Sequence, residues 1–331
     1  MTTSLLLVRE YIRAFYVKYE DYVVPGLKFL AALTALIMVN SNLGYMERLN
    51  SVSIVLVAAL ICSFMPREFI LLVSALFAVL HLYEISLECA IVTLVVFLLL
   101  FLLYARFASR SSTSLILLTP MLFVLKVPFA APLLAGLLGN PLSALAVACG
   151  VIAYYTLNYM STNAAFFGSN EAESLVARFR EILDGILNDR GMLVVAAAFV
   201  VTAVLVYLVR RLSVDNAWTI AIVAGTLLDI VILLVGDLIY DTNFSILGVL
   251  FGSILSMAVA FLVQFFRFNL DYMRTEKVQF EDDEYYYYVK AVPKMAVAAP
   301  EKKVKKITTQ RNKRSVKHAH VKGAVHKQTG K

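Results

Sequence analysis

Charge, histidine and cysteine are all in short supply in this chain. Only 16% of its 331 residues are Asp, Glu, Lys or Arg, against 60% hydrophobic, and the mean hydropathy is +0.78. A soluble domain of this length has too small a core to bury that much apolar surface. A bilayer removes the limit, because lipid solvates the excess. A soluble globular fold is thereby excluded. Of the four histidines, His318, His320 and His326 fall near the end of the chain, which leaves His81 alone among the apolar runs. A zinc centre or a His-based catalytic triad lacks the material. Cys62, Cys89 and Cys149 each sit inside an apolar run with no CxxC spacing, and read as small buried hydrophobes. No nucleotide-binding loop, nucleophile elbow or HExxH occurs. No enzyme activity, cofactor or metal is expected, and any ATP that drives the protein would be hydrolysed by a separate subunit.

Acid is missing altogether from residues 302–331, which carry eleven of the 30 Lys and Arg residues. The rest of the chain then holds 19 basic against 23 acidic groups, so the formal net charge of +7 belongs to one terminal segment. Such asymmetry marks an appended tail, expected to be disordered after Pro300. Lys302, Lys303, Lys305, Lys306, Arg311, Lys313 and Arg314 are the candidates for contact with anionic lipid, worth about 1 kcal/mol per basic residue near the surface. Nucleic acid is the disfavoured polyanion, because no aromatic residues interleave the basic ones for base stacking. Just before the tail, Tyr285–Tyr288 and the following Val-Lys-Ala-Val have strand propensity after an acidic Glu-Asp-Asp-Glu.

What the sequence does have is a series of apolar runs, at 23–39, 52–65, 69–83, 89–105, 114–125, 128–139, 142–160, 192–209, 217–240 and 244–266. Residues 1–22 show no secretory signal, so the first run is expected to act as an uncleaved anchor. Crossing a hydrocarbon core of roughly 30 Å takes about 20 helical residues. The runs at 52–65, 69–83, 114–125 and 128–139 fall short and come in adjacent pairs, broken at Pro66-Arg67-Glu68 and at Lys126-Val127-Pro128. Each pair is either two short tilted spans or one re-entrant hairpin. The expected fold is therefore all-α: a polytopic helical membrane protein with about 8–10 membrane segments. Its expected parts are an N-terminal segment (1–22), a module of short Pro/Gly-broken spans (23–160), an amphipathic helix (161–191), a three-helix module (192–266) and the tail (267–331).

Orientation is the same under either reading of the pairs. With the basic tail in the cytoplasm, Arg9, Arg13, Lys18, Arg106, Arg110, Arg210 and Arg211 also fall inside, and Glu84, Glu88, Asp237 and Asp241 outside. Both termini are thus expected to be cytoplasmic, in a plasma membrane of bacterial type. In 161–191, Leu175, Phe179, Ile182 and Ile186 form an apolar stripe, Asn170 and Glu173 a capping-box-like start, and Gly191 the expected stop.

Two places invite chemistry. Lys126, Pro128, Pro132 and Gly136 fall within membrane-depth sequence, where proline frees carbonyls that lipid cannot satisfy. Interrupted segments of this kind point to a substrate site in transporters. The plainer reading is a tight hairpin whose Lys126 snorkels to the headgroups. Asp229 lies mid-way along 217–240, and a carboxylate there costs a few kcal/mol and needs a partner. It serves proton or cation coupling, or it is a structural partner for a hydroxyl or for Lys28 or Lys126. His81 with Glu84 and Glu88 makes a possible outer-face cluster. Together these give two expectations: a permease-like subunit handling a small solute with separate partner subunits, or a scaffold or sensor acting through its tail. The short spans of 52–160 resemble small-molecule-binding membrane modules of bacteria, such as the substrate-binding subunits of energy-coupling-factor transporters and the membrane sensor domains of histidine kinases. That resemblance implies solute binding by the 52–160 region.

Overall fold

A computed structural model describes residues 2–107, 113–168, 175–267, 276–282 and 284–291. In chain order the helices are α1 (Thr2–Lys18), α2 (Glu20–Asn42), α3 (Val52–Phe64), α4 (Arg67–Ile85), α5 (Leu87–Phe107), α6 (Thr113–Val124), α7 (Ala130–Leu138), α8 (Ser143–Thr162), α9 (Ala164–Phe167), α10 (Leu175–Leu187), α11 (Arg190–Arg210), α12 (Ala217–Tyr240) and α13 (Ile246–Arg267). A hairpin of β1 (Glu276–Glu281) and β2 (Tyr286–Ala291) follows. Seven helices, α2, α4, α5, α8, α11, α12 and α13, are long and apolar enough to cross a bilayer. The chain is a helical, membrane-embedded protein.

The bundle has two ends of opposite character. Helices α2, α4, α8 and α12 run toward one end, α3, α5, α11 and α13 away from it. Several side-chain bonds fix this arrangement. The ring of His81 on α4 meets Asn40 on α2, the hydroxyl of Ser63 on α3 donates to the carbonyl of Pro25 on α2, and Gln264 on α13 donates to Thr219 on α12. Lys18, Arg67, Arg210, Arg211 and Arg267 gather at what is here called the basic end, and Glu84, Glu88, Asp189, Asp237 and Asp241 at the acidic end. Amphipathic α1 lies at the basic end, where the Arg9 guanidinium donates to Phe265 O at 3.2 Å.

The two short pairs resolve differently. Helix α3 runs antiparallel to α2 and stops where Met65 becomes extended before Pro66. There Lys28 Nζ donates to Met65 O at 3.0 Å, which satisfies a terminal carbonyl. Helix α4 then returns over 19 residues, long enough to cross, whereas the 13 residues of α3, about 20 Å, lie antiparallel against α2. Helices α6 and α7 have 12 and 9 residues, about 18 and 13 Å, and neither can cross. Thr119 faces Gly150 and the Phe123 ring stacks on Tyr154 at 4.2 Å, so α6 rises parallel to α8. Phe129 meets Phe199, and Gly136 meets Ala203 and Val206, so α7 descends parallel to α11. The segment is a re-entrant hairpin that enters from the basic end and turns at Lys126, in left-handed conformation (φ 62°).

Helix α7 is buried along its length from Ala130 to Leu137, enclosed by α8, α11, α12 and α13. Pro132 is its third residue, a position whose N–H has no partner within the helix, so the ring costs nothing there. Gly136 is required by close approach, since a Cβ would lie 2.8 Å from Ala203 O and 2.5 Å from Val206 Cβ. At the far end the Arg210 guanidinium donates to Leu137 O and, at 2.6 Å, to Gly139 O. A cation on the last carbonyls suits the helix dipole. One core cluster runs from Tyr104 and Leu115 through α7 and α8 to Leu233 and Val249, so 23–160 and 192–266 share a continuous interior.

The described membrane part is all-helical as expected, and a short hairpin follows it, in which β1 and β2 pair antiparallel with Glu276 opposite Ala291. Tyr286 to Tyr288, expected from propensity to be extended, lie in β2. Some expectations need correcting. Gly191 does not end the amphipathic helix; α10 stops at Leu187, and Gly191 is in the first turn of α11, where Asp189 accepts from Met192 N at 2.9 Å. In α10 only Ile182 and Ile186 of the apolar stripe are buried, while Leu175, Val176 and Leu187 stay exposed. The capping pair Asn170 and Glu173, Arg110, and the basic tail lie outside the described residues.

Candidate functional site

The α12 face that carries Asp229 is built from Ala221, Ile222, Gly225, Thr226, Leu233 and Gly236, all buried. Spacings of three and four residues put these on one stripe. The two glycines let α11 come close. A Cβ on Gly225 would strike Val206, and one on Gly236 would strike Val194. Asp229 is drawn into this seam and is 1% exposed. Its Oδ1 accepts a hydrogen bond from Thr202 Oγ1 of α11 at 3.2 Å. Its Oδ2 is buried without a partner. An unpaired carboxylate charge at this depth is costly, so the free oxygen calls for a proton or a cation.

More oxygen lies near the same level. Ser253 and Ser256 on α13 are fully buried, and neither hydroxyl has a partner. Asp229 is eleven residues before the end of α12 and Ser256 ten residues after the start of antiparallel α13. At 1.5 Å per residue both sit about 15–16 Å below the acidic end. Thr202, Asp229 and Ser256 thus lie near one level of the α11–α12–α13 group, with Ser253 one turn nearer the acidic end.

The predicted residues divide into two sets. Gly136 and Asp229 both pack on the Thr202–Val206 stretch of α11, and Pro132 lies one turn before Gly136. Lys126 and Pro128 are at the hairpin apex near Gly252, with Lys126 exposed. Of the partners expected for Asp229, the hydroxyl is found, on Thr202, and neither lysine is. Lys28 serves the end of α3, and among the described residues Lys126 makes no ion pair. The outer-face cluster is also corrected. His81 is fully buried, its Nδ1 accepts from Met46 N at 3.1 Å and its Nε2 meets Asn40 Oδ1 at 2.9 Å, a neutral ring tying α2, α4 and the α2–α3 loop together. Glu88 pairs instead with Arg178 of α10 at 3.8 Å. Asp237 accepts from Thr242 Oγ1 and Phe244 N and so holds the turn into α13.

Sequence reasoning missed Thr202, Ser253, Ser256 and Arg210 as members of this assembly. The hydroxyls gave a faint signal, as polar residues inside apolar runs. Arg210 gave none beyond its place at a helix end. Three cavities, of about 460, 510 and 130 Å³, lie elsewhere, and neither Asp229 nor Lys126, Pro128, Pro132 or Gly136 lines any of them. No group of three metal-ligating side chains occurs among the described residues. The chain matches no protein-family model, no curated protein and no solved structure.

Proposed function

We propose that this chain is a permease-like transport subunit in which Asp229 couples solute movement to a proton or cation. The reading rests on one observation: Asp229 Oδ2 is buried in mid-bundle and has no hydrogen-bond partner among the described residues. A group that only held the fold together would be satisfied or replaced by an apolar side chain. The re-entrant hairpin supports the same reading, because its second limb packs on the stretch of α11 that holds Asp229. Rocking of α7 would reach the carboxylate directly. By the positive-inside rule the basic end faces the cytoplasm of a plasma membrane, of bacterial type, with both termini inside. The basic tail then lies against anionic lipid, and an ATPase or other subunit supplies what this chain lacks.

The test is charge movement across liposomes carrying the purified chain, recorded on a supported membrane during proton, sodium and solute concentration jumps. Wild type gives a current, and Asp229→Asn of equal thermal stability gives none. Equal currents from both, or none from wild type under any jump, would remove the coupling role. Gentle-detergent purification with mass spectrometry names the partner subunit.

A second reading has its own support. The β1–β2 hairpin leaves both outer strand edges unpaired among the described residues, with Tyr285, Tyr286 and Tyr288 exposed. Free edges are templates for strand addition by a partner, as in a membrane scaffold or sensor. Under that reading, deleting 276–331 abolishes function and leaves the membrane bundle folded.

A further inference from the structure

Away from Asp229, a cavity of about 460 Å³ lies between α4, α5, α6 and α8, within the range of small-molecule sites. Its walls run from Leu71 to Val79 on α4 and from Leu94 to Tyr104 on α5, about 12 and 15 Å along the helices. Counted from the acidic end of each helix, these walls lie about 9–21 Å down α4 and about 10–26 Å down α5. The chamber thus begins within the acidic-end leaflet and continues past the middle of a hydrocarbon core of roughly 30 Å. The mouth is lateral: Leu72, Leu76, Leu94 and Leu98 line it and are each about half exposed at membrane depth. Whatever enters comes from the bilayer. Inside, Ser74 is 6% exposed, and its hydroxyl lines the chamber without a hydrogen-bond partner.

A second cavity, of about 130 Å³, abuts the first. Val39, Leu117, Pro120 and Leu157 line both. The smaller recess rises between α2, α6 and α8 to the acidic end, and its lining changes character there, to Asn42, Tyr154, Asn158 and Ser161. No charged side chain lines it. The Tyr154 hydroxyl and the Asn158 amide make no hydrogen bond among the described residues. A dry chamber open to lipid therefore borders an uncharged hydrogen-bonding recess at the level where headgroups lie.

We infer that the paired cavities bind a single-chain amphiphile from the leaflet at the acidic end, its hydrocarbon chain in the α4–α5–α6–α8 chamber and a small uncharged, hydroxyl- or amide-bearing head against Tyr154 and Asn158. Ser74 and Tyr104 are the polar side chains along the chamber. A charged head is disfavoured, since no side chain of the recess neutralises it. The inference stands apart from the transport reading: the site can hold a ligand whether or not Asp229 couples its movement.

The test uses the full chain in lipid nanodiscs with two photoreactive probes, a monoacylglycerol and a fatty acid, each bearing a diazirine on the chain. The monoacylglycerol is expected to crosslink to residues 71–79 and 94–104, and unlabelled monoacylglycerol to compete it away. Ala75→Trp, which fills the chamber, should cut labelling there at least tenfold, and Asn158→Leu several-fold. Val231→Trp, in the separate groove between α11 and α12, should change nothing. If Ala75→Trp fails to fold, competition and crosslink mapping on wild type decide alone. Labelling spread evenly over lipid-facing α12 and α13, or not competed, overturns the site. Equal labelling at 71–79 and 94–104 by the fatty acid overturns the uncharged head.

Discussion

The two halves of the bundle solve the problem of packing in lipid in opposite ways. Around α7, α11, α12 and α13, glycine at 136, 225 and 236 brings backbones close, and Val206 and Val194 fill what is left. Across α4, α5, α6 and α8, Gly150 brings α8 onto Thr119 of α6, but the other facing residues are mostly Leu, Phe and Ala, and a cavity of about 460 Å³ remains between them. The groove of about 510 Å³ beside α11 and α12 lies instead along their lipid-exposed side, at Leu193, Val231 and Ile239. Lipid tails are as apolar as leucine, so helices gain little from apolar burial alone, and small residues that permit close contact set association. The tight half can hold a buried carboxyl in a fixed seam. The loose half has room for a guest.

Substitutions that exchange the two characters should have the largest effect. Gly136→Leu and Gly225→Leu each drive a side chain into α11, and overpacking of this kind costs about 1–3 kcal/mol or more when backbone is the obstacle. At Gly136 the obstacle includes Ala203 O, so Gly136→Leu should leave little monodisperse protein by size-exclusion chromatography. At Gly225 the obstacles are side chains of Val206, Leu133 and Thr202, so Val206→Ala should restore part of the stability of Gly225→Ala. Ala75→Leu in the loose half should be nearly neutral in melting temperature. If the Gly136 and Ala75 variants behaved alike, the contrast between the halves would be false.

Next in size are the polar ties of the tight half. Arg210→Ala leaves the last carbonyls of α7 without a donor, and hydrogen bonds to charged groups contribute about 1.5–3 kcal/mol. Hydrogen exchange of residues 135–141 should rise in this variant, while α4 and α5 keep their protection. Thr202→Val removes the only hydrogen bond to Asp229 and strands both carboxyl oxygens, a loss of about 1–3 kcal/mol. Asp229→Leu should be neutral or stabilising, because an apolar side chain replaces an unsatisfied polar one. A more stable Asp229→Leu variant that has lost all charge movement separates function from fold. One that unfolds assigns Asp229 a structural role.

How far the sequence reaches follows the same division. Long apolar runs fixed by 3.6-residue geometry are legible alone: 217–240 is α12 residue for residue, and the prolines at 66, 128 and 141 mark real breaks. Whether a short pair crosses or turns back is not legible. It depends on which helices enclose it: Gly252 of α13 makes room for Phe129, Gly225 of α12 for Leu133, and Gly136 of α7 itself permits its approach to α11. The choice among the partners expected for Asp229 lay beyond reach for a related reason. A hydroxyl, Lys28 and Lys126 are equal candidates on sequence, and only the α11–α12 seam selects the hydroxyl, that of Thr202, 27 residues away. His81 was legible as a lone ring but not as a satisfied one, since Asn40 and the Met46 N–H meet it only after α2 and α4 pair.

The smallest effect belongs to a third region, the hairpin, which contrasts with both halves because its polar contacts face water. Asp282 accepts from the backbone N–H of Glu284, from the Tyr287 hydroxyl and from the N–H of Tyr285. These bonds, the Glu284 one foremost, hold its carboxyl below the ordinary carboxylate range. A depressed folded value means that the ionised form stabilises the turn, fully so above the ordinary value of about 3.9 and progressively less as pH falls through the folded one. The hairpin should therefore be unchanged between pH 7 and about pH 5 and loosen below about pH 4. Nuclear magnetic resonance of a peptide spanning 274–293 would follow the cross-strand contact of Val278 with Val289. Asp282→Asn should weaken that contact at pH 7 and remove its pH dependence. Because the carboxylate is solvated, the change is small, and it should leave the melting of the membrane bundle untouched. Transmission of the hairpin's acid loosening to the bundle would instead show the two to be mechanically joined, which favours the scaffold reading over the permease.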